Sequence, residues 1–149
     1  MRQIIYALQF KGHAAPKAGA PGVLKATTTA PGCTLTTSLG REGVTGVLEP
    51  AAGEEASFES EVTLTGENLF LESGTIRFGT GNNQLRFSTL GHGSLGASPI
   101  PKLQHGAVTW RVDGGEGQFA GATGLITSNF TISEGGDVLD NHLGVIFVR

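Results

Sequence analysis

Glu72 is the side chain whose position most favours acid–base chemistry. In the predicted strand 69–78 it alternates in step with Phe70 and Phe78, which places its carboxyl group on the more apolar face. A carboxyl group that faces the interior of a closed sheet loses hydration, which raises its pKa and suits it to general acid–base catalysis. The alternative is a β-bulge at Ser73–Gly74, which would reverse the register and leave Glu72 in water. Glu72 is therefore the one catalytic candidate, and both orientations stay open.

Two other strings match catalytic motifs by letter but lack the required surroundings. The run Gly91–Gly96 fits the G-x-G-x-x-G pattern of dinucleotide-binding proteins, which needs a helix directly after the glycines. Pro99 and Pro101 follow at once and no βαβ unit is present, so the run predicts a glycine bulge and a loop. Ser94 fails as a nucleophile elbow because His92 stands where that motif needs glycine.

No metal or cofactor site is expected. The four histidines show no pairwise ligand spacing, and one cysteine, Cys33, cannot build a zinc site or an intramolecular disulfide. His105 alternates with Thr109 and Arg111 on a polar face, so it is expected in solvent. No basic residue neighbours Cys33 in the sequence, which favours an inert, packed thiol.

The elements that must position these residues are strands. Helical periodicity is absent, whereas alternation of apolar and polar residues recurs between Gly, Pro and Asn punctuation, and 24 of the 149 residues are glycine. The predicted strands are 2–11, 22–29, 33–39, 55–65, 69–78, 84–90, 103–112, 123–132 and 138–148. Eight or nine one-sided strands without a covering helix must bury their own apolar faces. The short connections favour a single all-β domain over residues 1–149, an antiparallel up-and-down barrel.

Charge and hydropathy exclude several classes of partner. The net charge is −3, and the ten basic residues are scattered from Arg2 to Arg149, so nucleic-acid binding is not expected. No apolar run approaches the length of a membrane span, and no basic amphipathic helix is present. The N-terminal apolar run is interrupted by Gln9 and Lys11, which predicts a first strand and not a signal peptide. A cytoplasmic protein without membrane partners is therefore expected.

The stretch Gly106–Thr131 carries a family resemblance. An apolar strand, a glycine-rich turn, the run Gly117-Gln-Phe-Ala-Gly-Ala-Thr-Gly124 and another strand resemble the C-terminal signature of the allene oxide cyclase-like barrels. That superfamily includes allene oxide cyclases, dirigent proteins and small bacterial proteins of unknown function. The resemblance implies a barrel of about eight strands, with at most a one-turn helix near residues 116–121 that buries Phe119. It also implies a lumen able to hold a small, largely apolar molecule, but it carries over no catalytic residue.

Three functions are compatible with this picture. The first is a protein that binds a small apolar molecule inside the barrel. The second is a cofactor-free isomerase or cyclase whose lumen positions an apolar substrate and excludes water. The third is a structural module with a filled barrel that forms a homodimer or homotrimer through its last strand. That strand is apolar on both faces and is expected to be central in the sheet or covered on both sides. The predicted lumen residues are Tyr6, Phe10, Phe58, Leu64, Phe87 and Trp110.

Overall fold

The computed structural model describes residues 1–149 and consists almost entirely of antiparallel strands. The strands are β1 (Arg2–Pro16), β2 (Val23–Gly40), β3 (Gly43–Gly66), β4 (Leu69–Phe78), β5 (Gln84–Thr89), β6 (Gly93–Ala97), β7 (Leu103–Glu116), β8 (Thr123–Ser133) and β9 (Asp137–Val148). One turn of 3₁₀ helix spans Gly117–Phe119. The secondary structure therefore agrees with the predicted all-β class and with the single short helix near residues 116–121.

The strands form a closed ring in chain order. The sheet runs β3-β2-β1-β9-β8-β7-β5-β4, and β4 pairs with β3 to complete the circle. The first and last strands meet along an unbroken antiparallel ladder that extends from Arg2 opposite Val148 to His13 opposite Asp137. A sheet closed in this way has no free edge around its circumference. The predicted up-and-down barrel is confirmed.

Strands β5 and β6 share one place in the ring. β5 lies between Ser73–Arg77 of β4 and the second half of β7, whereas β6 lies between Leu69–Phe70 of β4 and Gln104–Ala107 of β7. The two strands therefore follow each other end to end, and the nine strands occupy eight positions. The run Gly91–Gly96, predicted as a bulge and loop, thus lies mostly within β6. Gly93 is required there because a Cβ atom would overlap the ring of Phe70.

Alternate side chains of the strands fill one end of the ring. Trp110, Phe10, Phe58 and Phe87 are at most 2% exposed, and the ring centroids of Phe87 and Trp110 are 4.5 Å apart. Burying each large apolar side chain contributes roughly 1.5–3 kcal/mol before the entropy of ordering is subtracted. Phe119, on the 3₁₀ helix, is buried and closes this end of the ring. The core therefore occupies the half of the ring that lies next to the 3₁₀ helix.

A long hairpin projects from the ring. Cys33–Gly40 of β2 pairs with Gly43–Pro50 of β3, and nearly all of these residues are exposed. We call these two segments the arm. The sequence predicted separate strands at 22–29 and 33–39, but β2 runs through both with a register shift between Pro31 and Cys33. The projecting arm itself was not predicted.

The last strand matches one of the two alternatives predicted for it. One face of β9 lines the ring interior through residues such as Ile146, whereas Leu143 and Phe147 on the other face are 51% and 37% exposed. Of the two predicted alternatives, a central position is the correct one, because β9 pairs with β1 on one side and with β8 on the other. No second layer covers its outer face. The one helix of the structure is a single 3₁₀ turn, so no helical segment spans a membrane.

Candidate functional site

A cavity opens at the end of the ring that lies away from Phe119. Its volume is about 70 Å³, and 11 of its 14 lining residues are hydrophobic. The apolar wall includes Phe58, Val62, Phe70 and Phe130, contributed by strands from both sides of the ring. The three polar residues of the lining are Thr28, Glu72 and Asp140. The site is thus an apolar chamber with a few polar groups, the usual composition of a small-molecule site.

Glu72 faces the interior. The β3–β4 ladder is regular from Ala56 opposite Phe78 to Leu64 opposite Phe70, so no bulge reverses the register at Ser73–Gly74. The Glu72 side chain is buried, and Ser60 Oγ donates a hydrogen bond of 2.6 Å to its Oε1. Trp110 Nε1 donates to Oε2 at 3.2 Å. The inward orientation is therefore the correct one of the two that the sequence left open.

The environment of Glu72 favours its protonated form. The pKa of this carboxyl group is raised from its ordinary 4.5 to about 8, mainly by burial and to a smaller extent by the negative charge of Asp140. The hydrogen bonds from Ser60 and Trp110 act in the opposite direction because they stabilise the carboxylate. Removal from water is the dominant effect. Glu72 is consequently held mostly as a neutral carboxylic acid near pH 7.

A second carboxyl group, Asp140, lies on the cavity with its own set of partners. Ser128 Oγ donates a hydrogen bond of 2.6 Å to Asp140 Oδ1, and His142 Nε2 lies 2.8 Å from Oδ2. His142 is itself buried, and its ring lies 4.4 Å from that of Phe10, centroid to centroid. Its Nδ1 atom has no hydrogen-bond partner. The pairing with Asp140 fixes the orientation of the imidazole ring inside the apolar core.

The two carboxyl groups belong to equivalent hairpins on opposite walls. Ser60 and Glu72 are 12 residues apart on β3 and β4, and Ser128 and Asp140 are 12 residues apart on β8 and β9. In a ring of eight positions, the β3–β4 pair stands directly across from the β8–β9 pair. The effect of Asp140 on the pKa of Glu72 is consistent with this arrangement. The lumen therefore carries two serine–carboxyl pairs that face each other.

Thr28 adds a third polar group from the wall formed by β2. Its side chain is 3% exposed and its hydroxyl has no hydrogen-bond partner in the protein. Buried hydroxyl groups are nearly always paired, because an unpaired one costs free energy of desolvation. The cavity therefore contains hydrogen-bonding capacity that the chain itself does not use.

Five of the six predicted lumen residues fall into two groups. Phe58 and Leu64 line the cavity, with Leu64 half exposed at its rim. Phe10, Phe87 and Trp110 lie in the packed core and do not line the cavity, although Trp110 reaches the site through its bond to Glu72.

Tyr6 lies apart from the cavity, in edge contact with Phe78. Burial, and secondarily the charge of Asp140, raise the pKa of its hydroxyl group, which has no hydrogen-bond partner.

Asp140 and His142 were missed by sequence reasoning. Both lie an even number of positions from Ile146 and Val148, so strand alternation alone would have placed them on the interior face. The signal was hidden because Leu143–Val148 is apolar at successive positions, which obscures the alternation. Ser128 likewise lies two positions from Ile126 on β8 and therefore on the same interior face.

No group of three or more histidine, cysteine, aspartate or glutamate side chains is arranged to hold a metal ion. Comparison of the chain with protein-family models, with curated proteins and with solved structures finds no significant match. The resemblance of Gly106–Thr131 to the allene oxide cyclase-like barrels therefore stays a prediction.

Proposed function

We propose that the protein binds a small, largely apolar molecule with one hydroxyl or carbonyl group in the cavity at the open end of the barrel. The observation that carries the proposal is the position of Glu72 and Asp140 in a largely apolar chamber. Buried carboxyl groups are costly in a purely structural core, whereas a ligand that pairs with them recovers part of that cost.

The polar groups of the chamber favour a neutral polar end on the ligand. A protonated Glu72 can both donate and accept a hydrogen bond, and Thr28 can do the same. The negative charge of Asp140 disfavours an anionic ligand at this depth. A hydroxyl or carbonyl oxygen fits this set of donors and acceptors.

The size of the cavity limits the buried part of the ligand. A cavity of roughly 10–15 Å³ is enough to hold one water molecule, and this one has a volume of about 70 Å³. The chamber therefore accommodates a body of a few heavy atoms, comparable to a short chain or a small ring. Any longer apolar part would extend past Leu64 towards the mouth, where that side chain is 48% exposed.

Binding can be tested with three matched probes: cyclohexanol, cyclohexanone and methylcyclohexane. Trp110 is the only tryptophan and contacts Glu72, so its fluorescence reports on the floor of the site. We expect the two oxygenated probes to change Trp110 emission and to bind about fivefold more tightly than the hydrocarbon, the value of roughly one hydrogen bond.

A variant that fills the cavity supplies the control. Ala26→Phe places a ring in the chamber and should abolish binding, whereas Thr27→Phe, on the outer face of the same strand, should leave binding unchanged. Unchanged Trp110 emission with all three probes would contradict the proposal. So would equal binding by wild type and Ala26→Phe.

A second candidate is a cofactor-free isomerase that moves a proton on the bound molecule. The observation in its favour is that a carboxyl group held neutral, Glu72, faces a second carboxyl group that receives two hydrogen bonds. In this proposal Asp140 removes a proton from the carbon next to a carbonyl group, and Glu72 donates its proton to the carbonyl oxygen. The intermediate is the enol. Asp140 then returns its proton to a different carbon while Glu72 takes back the proton of the enol hydroxyl group, which completes the isomerisation and restores both carboxyl groups.

Exchange of the α-hydrogens of cyclohexanone in D₂O, followed by NMR, tests this second candidate. We expect the wild type to accelerate exchange, and Glu72→Gln or Asp140→Asn to reduce the acceleration by about 100-fold or more. Glu59→Gln, on the outer face of β3, is the matched control and should retain full acceleration. Tight binding without any acceleration would refute the isomerase and leave the binding protein.

A further inference from the structure

Two surfaces outside the barrel share an unusual composition. The first is the outer panel, which we define as the outward-facing residues of Gln3–Gln9, Thr123–Asn129 and Asn141–Phe147. These three segments lie side by side on β1, β8 and β9, and they contain no lysine, arginine, aspartate or glutamate. Ile5 is 64% exposed and Leu143 is 51% exposed. The outer panel is therefore an uncharged, partly apolar patch across three strands.

The second surface is one face of the arm. Directly opposed residues of an antiparallel pair lie on the same face, so Leu35 with Leu48 and Leu39 with Val44 form one apolar face. Leu39 is 82% exposed and Val44 is 67% exposed. Side chains so exposed contribute little to the fold of their own chain, and contiguous apolar patches of this kind mark interaction sites.

The arm and the outer panel form the two sides of one corner. Cys33 Sγ, at the base of the arm, donates a hydrogen bond of 3.2 Å to the backbone oxygen of Ala7 on the panel. Cys33, Leu48 and Pro50 of the arm also share a groove with Gln9. The apolar face of the arm therefore looks towards the side of the barrel that carries the outer panel.

We propose that the occupant of this corner is a second copy of the chain, and that the two copies exchange arms about a two-fold axis. Each arm then lies with its apolar face on the outer panel of the other barrel. An isologous pair of this kind uses both surfaces twice and leaves neither exposed. This proposal concerns the outside of the barrel and does not depend on the ligand of the cavity.

The area available reaches the lower limit for a specific dimer. Two strands of eight residues, at about 3.3 Å per residue and about 4.8 Å per strand, give the arm a face of roughly 250 Å². Two arms on two panels bury four such surfaces, or roughly 1,000 Å² in total, the smallest area expected of a specific interface.

The charge pattern favours a second copy over a lipid surface. The tip of the arm carries one arginine and one glutamate, Arg41 and Glu42, and the outer panel carries no charge. Attraction to an anionic membrane requires clustered basic residues, which are absent from both surfaces. Two uncharged surfaces can be buried against each other without the desolvation of an unpaired charge.

Sedimentation equilibrium tests the proposal on the full chain. We expect a mass of twice the 15.4 kDa chain at about 100 µM protein, a concentration well above the dissociation constant of an ordinary specific dimer. Leu35→Glu with Leu48→Glu should raise the dissociation constant by about 100-fold or more, because the new charges would be buried. Thr36→Glu with Ser38→Glu, on the other face of the arm, should leave the mass unchanged. Near-ultraviolet circular dichroism of Trp110 checks that each variant keeps the fold.

Disulfide trapping tests the arrangement itself. Chains with Cys33→Ser and Leu39→Cys are mixed with chains that carry Cys33→Ser and Leu143→Cys, and oxidised. We expect mixed disulfides between the two kinds of chain to predominate. A monomeric or trimeric wild type, or disulfides between like chains only, would overturn the proposal. Monomers that bind phosphatidylcholine vesicles through Leu35 and Leu48 would also overturn it and assign the arm to lipid.

Discussion

The raised pKa of Glu72 makes the stability of the fold depend on pH in a defined direction. In the unfolded chain this carboxyl group ionises with a pKa near its ordinary 4.5, whereas in the folded protein the pKa is about 8. Between these values the unfolded state releases a proton that the folded state retains. The free energy of unfolding therefore falls as pH rises through this window, and the loss is complete above about pH 8.

The magnitude follows from the same two values. Each pH unit between the two pKa values lowers the free energy of unfolding by about 1.4 kcal/mol. The total loss across the window is therefore about 5 kcal/mol. Glu72→Gln removes the titrating group while it keeps nearly the same shape and an amide oxygen for the hydrogen bond from Ser60 or Trp110. The variant is expected to lack this part of the pH dependence. It should become progressively more stable relative to wild type from pH 4.5 to 8.

Urea unfolding of both proteins at half-unit steps of pH measures this difference. The comparison cancels the contribution of titrating groups that do not interact with Glu72, and Glu59→Gln, exposed on the outer face of β3, should run parallel to wild type. Parallel curves for wild type and Glu72→Gln from pH 4.5 to 8 would refute the reasoning. So would a wild type that gains stability relative to Glu72→Gln as pH rises.

Three further predictions concern single positions. Asp140→Asn removes the charge that opposes ionisation of Glu72 and should lower the pKa of Glu72. In the same urea measurements, the free energy of unfolding should then stop falling at a lower pH than in the wild type. Gly74→Ala should cost about 1–3 kcal/mol in urea unfolding, because its Cβ would overlap the β3 backbone, whereas Gly96→Ala meets open space. Phe119→Ala should cost about 3–5 kcal/mol and lower the melting temperature, because it empties one end of the core.

Strand alternation predicted much of the barrel because a closed antiparallel sheet imposes it on every strand. The inward position of Glu72 followed from its alternation in step with Phe70 and Phe78. The regular β3–β4 ladder keeps all three side chains on the same face. Asp140 and His142 obey the same rule, but the apolar run after them obscured it. The pairing of the two carboxyl groups across the lumen depends on which strands stand opposite, and the local pattern of one strand does not contain that information.

The arm could not be predicted from local sequence for a related reason. Leu35 and Leu39 alternate with threonine and serine just as the lumen residues of β3 alternate with glutamate. Alternation shows that a strand has an apolar face, but the partner of that face is decided by tertiary structure. Phe58 packs in the core, whereas Leu39 is exposed and no part of its own chain covers it.

The pairing of β1 with β9 has a consequence for how the chain is made. Arg2 lies opposite Val148, so β1 finds this neighbour only after the seven strands between them and β9 itself have been synthesised. Until that moment β1 exposes an open edge and the chamber has no wall on the side of Asp140. Completion of the ring therefore waits until β9 has left the ribosome, and contacts so distant in sequence favour slow folding. The interval before closure is the period in which this chain has greatest need of protection by a chaperone.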